Sequence, residues 1–310
     1  MKQSLKIFLG EILNDDEIKL MNRSFDVIGD IAIIEIPPEL EAKKKEIGKA
    51  LLNFKHIKVV AAKAGIFEGE YRTRKLEIIA GENRKETIHI EFGCRYLLNV
   101  EEVYFSERLG NERIRIAQQV KEGEKILVMF AGAGPYPILI ARTKKTEKKN
   151  VEIYAIELNP VGYKYMVENV RLNKVNVKCI LGDVKTETPK LGLKFDRIIM
   201  PLPKDAGNFL DTALNALNEG GIIHYYGFSN NKEIFAKEIK NRCEYCGYDV
   251  EISDVVACGA YGPGINRVCV DLKINIKQTN QIYSTTVKTA FFIARGFQSF
   301  LKNSKYSEQP

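Results

Sequence analysis

The sequence predicts a doubly wound α/β domain built on seven strands, preceded by a smaller mixed α+β module. Its 310 residues exceed one ordinary hydrophobic core, so the length favours two domains. From Ser106 onward, strand-like and helix-like hydrophobic patterns alternate, which is typical of a parallel sheet covered by helices. Before that residue the chain carries short strand-like runs. A hydrophobic content of 45% with 28% charged residues indicates a folded globular protein.

Changes in the hydrophobic period divide the chain into four predicted segments. Residues 1–20 are predicted to form one amphipathic helix, and residues 21–105 the α+β module, with strand-like runs such as IAIIEI and KLEIIAG. The α/β domain is predicted over residues 106–274. Residues 275–310 form a C-terminal extension in which four phenylalanines lie near one helical face, so we expect a docked helix there.

The α/β domain is predicted from seven strand-like runs with about five helices between them. The second helix shows the local signals most clearly, because Asn159 can act as its N-cap and Pro160 fits its first turn. In such a sheet the ligand binds at the carboxyl ends of the first strands. The predicted strands are KILVMFAG, VEIYAIELN, VKCILGDV, FDRIIMP, GIIHYYGF, YDVEISDVVA and NRVCVDLKI.

Composition and charge indicate the cellular compartment of the protein and the class of partner that it binds. No run reaches the roughly 18 apolar residues that span a bilayer, and the start MKQSLKIFLGEILNDDE is unlike a signal peptide, so we expect a cytoplasmic protein without membrane contact. The formal net charge is +7, and the segment Glu41–Lys85 carries 12 Lys and Arg against 6 Glu. This excess indicates a polyanionic partner, while a solvated lysine-rich surface is the alternative interpretation.

The six cysteines leave the redox state open and do not predict a metal site. They are too few for a disulfide scaffold, although disulfides occur in intracellular proteins of hyperthermophiles. Cys243 and Cys246 form a single C-x-x-C pair without a second pair. Half of a zinc site is therefore less plausible than a disulfide or two ordinary thiols.

A glycine-containing loop follows the first strand of the α/β domain. In the segment VMFAGAGPY, Gly132 and Gly134 allow the backbone to turn tightly and to approach a ligand, although a purely structural turn would need the same residues. Phe130 belongs to this loop. The second strand ends at Glu157, where a carboxylate can accept hydrogen bonds from both hydroxyls of a ribose. Together these residues predict a cofactor that contains a nucleoside.

S-adenosylmethionine fits this loop better than a dinucleotide does. The loop lacks the third glycine of a pyrophosphate site and has Pro135 in the turn instead. The third strand ends at Asp183, whose carboxylate can bind the amino group of adenine, although Asp is also common in a turn after a strand. A seventh strand is typical of methyltransferases that use this cofactor.

Several segments together resemble a known family. The motifs are YRTRKLEIIAGENRKETIHIEFGCRYLLNV, YFSERLGNERIRI, MFAGAGP, AIELNP, ENVRLNK, GDV, DRIIMPLPK and GGIIHYY. Over roughly residues 20–274 they resemble the archaeal tRNA methyltransferases that act on guanine N1 at position 37, beside the anticodon. The resemblance implies a class I S-adenosylmethionine-dependent methyltransferase domain of Rossmann-like type, preceded by a small RNA-binding domain. It also implies tRNA as the partner, with no obligate protein partner evident.

The resemblance also assigns roles to three charged residues. It implies that Glu112 is the general base, that Arg72 approaches the target guanine, and that Arg108 lies toward the RNA or the base. The chemistry agrees, because guanine N1 must lose its proton as the methyl group arrives, and a cation can stabilise the negative charge that develops. Without the resemblance, Glu112 would be interpreted as a partner in a surface ion pair, and Arg108 as an ordinary surface charge.

Three departures from the family pattern bear on function. Val128 replaces the Asp that usually begins the cofactor loop, so another group must hold the methionine ammonium. Only about twenty residues precede the SFDVIGD-like strand, whereas relatives usually carry a further N-terminal domain. Pro201 replaces an Asn that contacts guanine, and with Pro203 it forms a Pro-Leu-Pro pattern. That pattern resembles the bifunctional subgroup, which also methylates C7 of 4-demethylwyosine; a stiffened loop is the alternative interpretation.

Two other functions compete with methyl transfer. An aminocarboxypropyl transferase of wyosine synthesis would share both domains and the cofactor but move a different group. A noncatalytic tRNA-binding protein would keep the basic surface without needing Glu112, Glu157 and Asp183 together. The joint presence of the three carboxylates favours an enzyme, and the motifs ERLGNER and PLPK favour the methyltransferase.

Overall fold

The structure is a computed structural model that describes residues 7–21, 25–65, 69, 71, 73–262 and 264–276. Its N-terminal part contains a four-stranded sheet in the order β1-β2-β3-β4, in which β2 and β3 run parallel and the outer pairs run antiparallel. A helix fills the connection between the two parallel strands. The strands are β1 (Asp26–Ile28), β2 (Ile31–Ile34), β3 (Val59–Lys63) and β4 (Leu76–Gly81), and the helices are α1 (Asp15–Leu20) and α2 (Lys44–Leu51).

The first residues do not form the single helix predicted over 1–20. Helical residues occur at 7–9, and α1 begins as a separate helix. Asn14 causes the break, because its side chain accepts hydrogen bonds from the backbone N–H groups of Asp16 and Glu17 while Glu17 accepts from the Asn14 N–H. This capping box starts a new helix. Leu9 and Leu13 pack with α2 and β2, so this segment contributes to the core of the N-terminal part.

A hairpin of β5 (Glu86–Glu91) and β6 (Cys94–Asn99) follows the N-terminal sheet and packs against helix α5 (Pro160–Leu172). Asn169 in this helix and Asn173 at its C-terminal end form hydrogen bonds with the backbone of β6, as a neighbouring strand would. Asn169 accepts from the Leu97 N–H at 2.7 Å and donates to the Leu97 carbonyl at 2.9 Å, and Asn173 bonds Arg95 in the same way. Asn169 also donates to the Ala133 carbonyl in the glycine loop. The ENVRLNK motif therefore joins the hairpin to that loop.

The C-terminal part is a seven-stranded sheet in the order β12-β13-β11-β10-β7-β8-β9. Strands β7 to β11 pair in parallel, and β13 lies antiparallel between β11 and β12. The sheet agrees with the predicted class of fold. The strands are β7 (Lys125–Val128), β8 (Glu152–Glu157), β9 (Lys178–Leu181), β10 (Phe195–Met200), β11 (Leu217–Ser229), β12 (Tyr248–Gly262) and β13 (Ile265–Ile276).

Helices cover both faces of this sheet. Alternate residues of one strand face opposite sides: Ile126 and Val128 of β7 pack in one core, Leu127 and Met129 in the other. The first core includes α3 (Gly110–Gln119), α4 (Pro135–Thr146) and α5. The second includes α6 (Val184–Lys190), α7 (Leu210–Ala216) and α8 (Lys232–Tyr245). This is the doubly wound arrangement.

The described residues end at Ile276, so nearly all of the predicted extension 275–310, with its expected helix, lies outside them. Within the described residues, no helix is both long and apolar enough to cross a membrane. Cys243 is buried and Cys246 exposed, and both are free thiols.

Candidate functional site

A cavity of about 330 Å³ opens where the first strands of the seven-stranded sheet end. It is lined by five of the predicted site residues, which come from the carboxyl ends of four strands or from the loops after them. Phe130 and Gly132 follow β7, Glu157 ends β8, Asp183 follows β9 and Pro201 follows β10. The site therefore lies where a doubly wound sheet binds its ligands.

Glu157 holds the glycine loop against the second strand. Its carboxylate accepts hydrogen bonds from the Gly132 N–H at 2.6 Å and from the Asn159 N–H at 2.8 Å. Gly132 adopts a φ of 57°, a conformation that favours glycine. Burial raises the pKa of Glu157, and the two backbone donors oppose that rise. Each carboxylate oxygen keeps a lone pair for another donor, as a ribose clamp requires.

Asp183 lies in the turn after β9 and also lines the cavity, while its contact with adenine stays a prediction. It is the N-cap of α6, because its side chain accepts from the Lys185 N–H at 2.7 Å, and it also lines the cavity. The cap occupies one oxygen, and the other oxygen is left for a ligand donor. The turn and the ligand site are therefore compatible.

Gly134 is not among the residues that line the cavity. Its φ is 87°, and a Cβ at this position would lie 2.9 Å from Ile138 Cδ1 and 3.0 Å from Met166 Cγ. Its role in the structure is to let the start of α4 pack against α5. Direct contact of Gly134 with a cofactor stays a prediction.

Aromatic rings and prolines form the apolar part of the cavity. Phe130 has a positive φ of 55° and packs edge-on against Phe209, with 4.8 Å between ring centroids. Pro201 lines the cavity, but Pro203 does not, so its predicted contact with substrate is not seen among the described residues. The sequence interpretation missed Asp205 and Asn208, two exposed polar residues on the same loop that line the cavity. Their position shortly after the carboxyl end of β10 could have indicated that they line the cavity.

The segment between the two sheets closes the other side of the cavity. Tyr104, Ser106 and Arg113 of this segment line it, and so does Tyr71, which lies between β3 and β4. Arg113 is buried, bonds the Glu91 carboxylate through Nε at 2.8 Å, and donates to the Ser106 carbonyl at 3.0 Å. Arg113 was not predicted, because only the fold brings the hairpin to it.

None of the three predicted roles of Arg72, Arg108 and Glu112 can be read directly from the residues that line the cavity. Arg72 lies outside the described residues, although its neighbour Tyr71 lines the cavity. Arg108 does not line it. Its guanidinium pairs with Asp26 of β1 and lies 3.4 Å from Glu107 Oε1. Burial raises the pKa of Glu107 to about 7, and the Asp26 carboxylate adds to the rise. Arg108 thus joins the two sheets in this structure.

Glu112 is buried, with 4% of its surface exposed, and its carboxylate does not line the cavity. Arg115 donates to both of its oxygens at 2.8 Å, and the Tyr226 hydroxyl donates to Oε1 at 2.5 Å. The alternative interpretation as an ion-pair partner is therefore partly correct, since the pair forms but lies in the interior. The role of Glu112 as a base stays a prediction.

The Glu112 ion pair continues through the core as a chain of charges. Arg115 also donates to Asp271 of β13 at 2.6 Å, and Asp271 lies 2.7 Å from His224 Nδ1. Burial would raise the pKa of Asp271, but its hydrogen bonds from His224, Arg115 and Gln119 hold that pKa well below its usual range. Burial lowers the pKa of His224. Its Nε2 accepts from Arg197, so the neutral ring carries its proton on Nδ1.

This chain of charges does not suit a metal ion. Within the described residues, His224, Cys269 and Asp271 bring ligand-type atoms within 4.8 Å of one another. However, Arg197 and Arg115 already bind two of these side chains. A cation would meet two guanidinium groups, so the chemistry favours the ion-pair network over a metal.

The parallel sheet with its antiparallel β13 and the cavity at the strand ends define a class I S-adenosylmethionine-dependent methyltransferase. More specifically, the chain belongs to the TRM5/TYW2 methyltransferase family. Residues 87–252 match the model of the TRM5/TYW2 methyltransferase domain, and residues 5–84 match that of the TYW2 N-terminal domain. The two models meet between residues 84 and 87, about twenty residues before the boundary predicted at 105.

Similar proteins carry related activities in their names. The tRNA (guanine(37)-N(1))-methyltransferase Trm5b of Pyrococcus abyssi is 44% identical, over 83% of this chain and 76% of the relative. The tRNA (guanine(37)-N(1))/4-demethylwyosine(37)-methyltransferase Taw22 of Nanoarchaeum equitans is 36% identical, over 69% of this chain and 86% of the relative. A tRNA(Phe) (4-demethylwyosine(37)-C(7)) aminocarboxypropyltransferase of Pyrococcus horikoshii is 31% identical, over 88% of this chain and 97% of the relative.

Solved structures of relatives include complexes with tRNA and with the cofactor. The complex of aTrm5 with tRNALeu has a TM-score of 0.76 and 35% identity, and the similarity covers 89% of this chain and 79% of that one. TYW2 of Methanocaldococcus jannaschii in complex with AdoMet has a TM-score of 0.61 and 29% identity, with coverage of 82% and 100%.

Proposed function

We propose that this protein transfers a methyl group from S-adenosylmethionine to N1 of guanine at position 37 of tRNA. The observation that carries the proposal is the cavity, in which a ribose-type carboxylate, an adenine-type carboxylate and an apolar wall converge from adjacent strands. The 44% identical relative is named for this reaction. An anticodon-loop substrate also agrees with the excess of positive charge in residues 41–85, and a tRNA substrate favours a cytoplasmic location.

The residues of the cavity fit S-adenosylmethionine. Glu157 would accept hydrogen bonds from the ribose hydroxyls, Asp183 would accept from the adenine amino group, and Phe130 would pack against the adenine ring. Val128, which replaces the usual Asp, is fully buried and offers no carboxylate to the methionine ammonium. Asp205 is an exposed carboxylate on the cavity wall and suits that role. When bound, the cofactor supplies an electrophilic methyl group on a sulfonium.

The protein must then make guanine N1 nucleophilic. N1 carries a proton at neutral pH, so a base has to receive that proton while the methyl group is transferred. Glu112 is our candidate for the final acceptor, because its carboxylate is buried beside the cavity and anchored by Arg115. Arg72 and Arg108 are our candidates for contacts with the target base and the RNA.

A second activity, methylation of C7 of 4-demethylwyosine, is favoured by Pro201. Pro201 lines the cavity and offers no hydrogen-bond donor, so the loop leaves no amide unpaired when a tricyclic base replaces guanine. The relative from Nanoarchaeum equitans is named for both reactions. Pro201→Asn should preserve guanine methylation and depress methylation of the tricyclic base. If wild type ignores a tRNA carrying that base while it methylates guanine, the second activity is excluded.

Product analysis tests the main proposal against its rival. After incubation with tRNA, methyl transfer yields S-adenosylhomocysteine and 1-methylguanosine, whereas aminocarboxypropyl transfer yields methylthioadenosine. We expect the first pair by mass analysis of the cofactor products and of the tRNA nucleosides. Methylthioadenosine in place of S-adenosylhomocysteine would establish the rival reaction, and tRNA binding without either product would indicate a noncatalytic protein.

A further inference from the structure

Two buried tyrosines connect the cavity with Glu112. Tyr136 lines the cavity at the start of α4, and its hydroxyl donates to the Tyr226 hydroxyl at 3.1 Å. Tyr226, on β11, donates in turn to Glu112 Oε1 at 2.5 Å. The three side chains are buried, with exposures of 4%, 0% and 4%. A continuous chain of hydrogen bonds thus runs from the cavity wall to the carboxylate.

The chain has one direction. A carboxylate that receives two guanidinium hydrogen bonds is an acceptor only, so the hydroxyl hydrogen of Tyr226 must point toward Glu112. Tyr226 oxygen is then the acceptor for Tyr136, whose own oxygen keeps its lone pairs. Every hydroxyl hydrogen in the chain therefore points toward Glu112. This is the arrangement required to pass a proton from the cavity toward Glu112.

The tyrosines are suited to pass a proton but not to store a charge. Burial raises the pKa of both phenols well above the ordinary value, so neither is a tyrosinate near neutral pH. Each oxygen can gain one proton only as it gives up another. Glu112 is the first group along the chain that can keep the proton, and Arg115 and Asp271 fix its position.

We propose that Tyr136 and Tyr226 relay the proton of guanine N1 from the cavity to Glu112. The inference rests on the proposed function. The N1–H bond breaks and its proton joins Tyr136, the Tyr136 proton moves to Tyr226, and the Tyr226 proton joins the Glu112 carboxylate. The electron pair left on N1 forms the bond to the methyl carbon, and the carbon–sulfur pair stays on sulfur. The relay explains how a carboxylate that does not line the cavity can act as the base.

Conservative variants test the relay. Tyr136→Phe and Tyr226→Phe each remove one hydroxyl and keep the ring. Tyr225→Phe is the matched control, because Tyr225 immediately precedes Tyr226 in the same strand and packs in the opposite core. Single-turnover methylation of a tRNA with unmodified guanine 37 is measured at saturating cofactor. We expect both relay variants to lose about 10²-fold or more in rate, with unchanged tRNA and S-adenosylhomocysteine affinity.

Solvent isotope measurements separate a relay from a structural role. In mixtures of H₂O and D₂O, the wild-type rate should bow downward with the fraction of D₂O, because several protons move in one step. A linear dependence for wild type would overturn the relay even if a variant failed to fold. A relay variant with wild-type rate, or a slow variant with the wild-type isotope dependence, would also overturn it.

Glu112→Gln distinguishes failure of the relay from failure of the function. If wild type forms no 1-methylguanosine, the proposed function is wrong. If wild type methylates guanine and Glu112→Gln is slow while both tyrosine variants are normal, only the relay is wrong, and the proton reaches Glu112 by another route.

Discussion

Replacing Glu157 by Ala should weaken cofactor binding by about 10²–10⁴-fold. The carboxylate already accepts from the Gly132 and Asn159 N–H groups and has lone pairs left for two ribose hydroxyls. Hydrogen bonds to a charged group contribute about 1.5–3 kcal/mol each, so losing two costs about 3–6 kcal/mol. Each 1.4 kcal/mol corresponds to about tenfold in the dissociation constant, which gives the stated range.

Calorimetry with S-adenosylhomocysteine measures this change. Glu152→Ala is the matched control, because Glu152 begins the same strand at the end remote from the cavity and pairs with Lys178. The control should bind the product as wild type does. Thermal unfolding of Glu157→Ala establishes that the fold is retained. Unchanged affinity in a folded Glu157→Ala protein would refute the assignment of this carboxylate to the ribose.

Three further predictions concern stability. Asn169→Ala leaves the Leu97 N–H and carbonyl unpaired, and we expect the free energy of unfolding, measured with denaturant, to fall by about 2–4 kcal/mol. A fall of less than about 1 kcal/mol would contradict a stabilising role of these two hydrogen bonds. Gly134→Ala should cost at least about 1 kcal/mol more than Gly123→Ala, because both have positive φ but only the first meets side chains within 4 Å; equal losses would contradict this. The pKa of Glu107 is raised to about 7, so its stabilising contribution is complete below pH 4.5 and is lost as the pH rises through 7. Glu107→Gln should therefore flatten the fall in unfolding free energy between pH 5 and 8, and a parallel fall in both proteins would show that Glu107 is not the group responsible.

The residues that line the cavity at the strand ends could be predicted because their signals are local. Gly132, Glu157 and Asp183 each follow a strand that is recognisable from its own hydrophobic run, and parallel strands bring their carboxyl ends to one edge. The N-cap at Asn159 was predicted for the same reason. Residues within a few positions of a clear strand end are thus accessible to sequence reasoning.

The contacts of Glu112 and Arg115 could not be predicted in the same way, because their partners are remote in sequence. Glu112 is 114 positions from Tyr226, and Arg115 is 156 positions from Asp271. Hydrophobic period gives no indication of which buried hydroxyl meets which carboxylate. The prediction of a single helix over residues 1–20 was wrong for a local reason, because the capping box at Asn14 starts a new helix within the hydrophobic pattern.

The position of β13 affects how this protein is made. Among the described residues β13 is the last strand along the chain, and it pairs with both β11 and β12. Until Ile265–Ile276 has emerged, the 13 residues of β11 present an open edge that can pair with another chain. Asp271 arrives with the same strand, so Arg115 and His224 wait for their common partner as well. The sheet is therefore completed, and Arg115 and His224 gain their shared carboxylate, at the same step, once β13 has emerged.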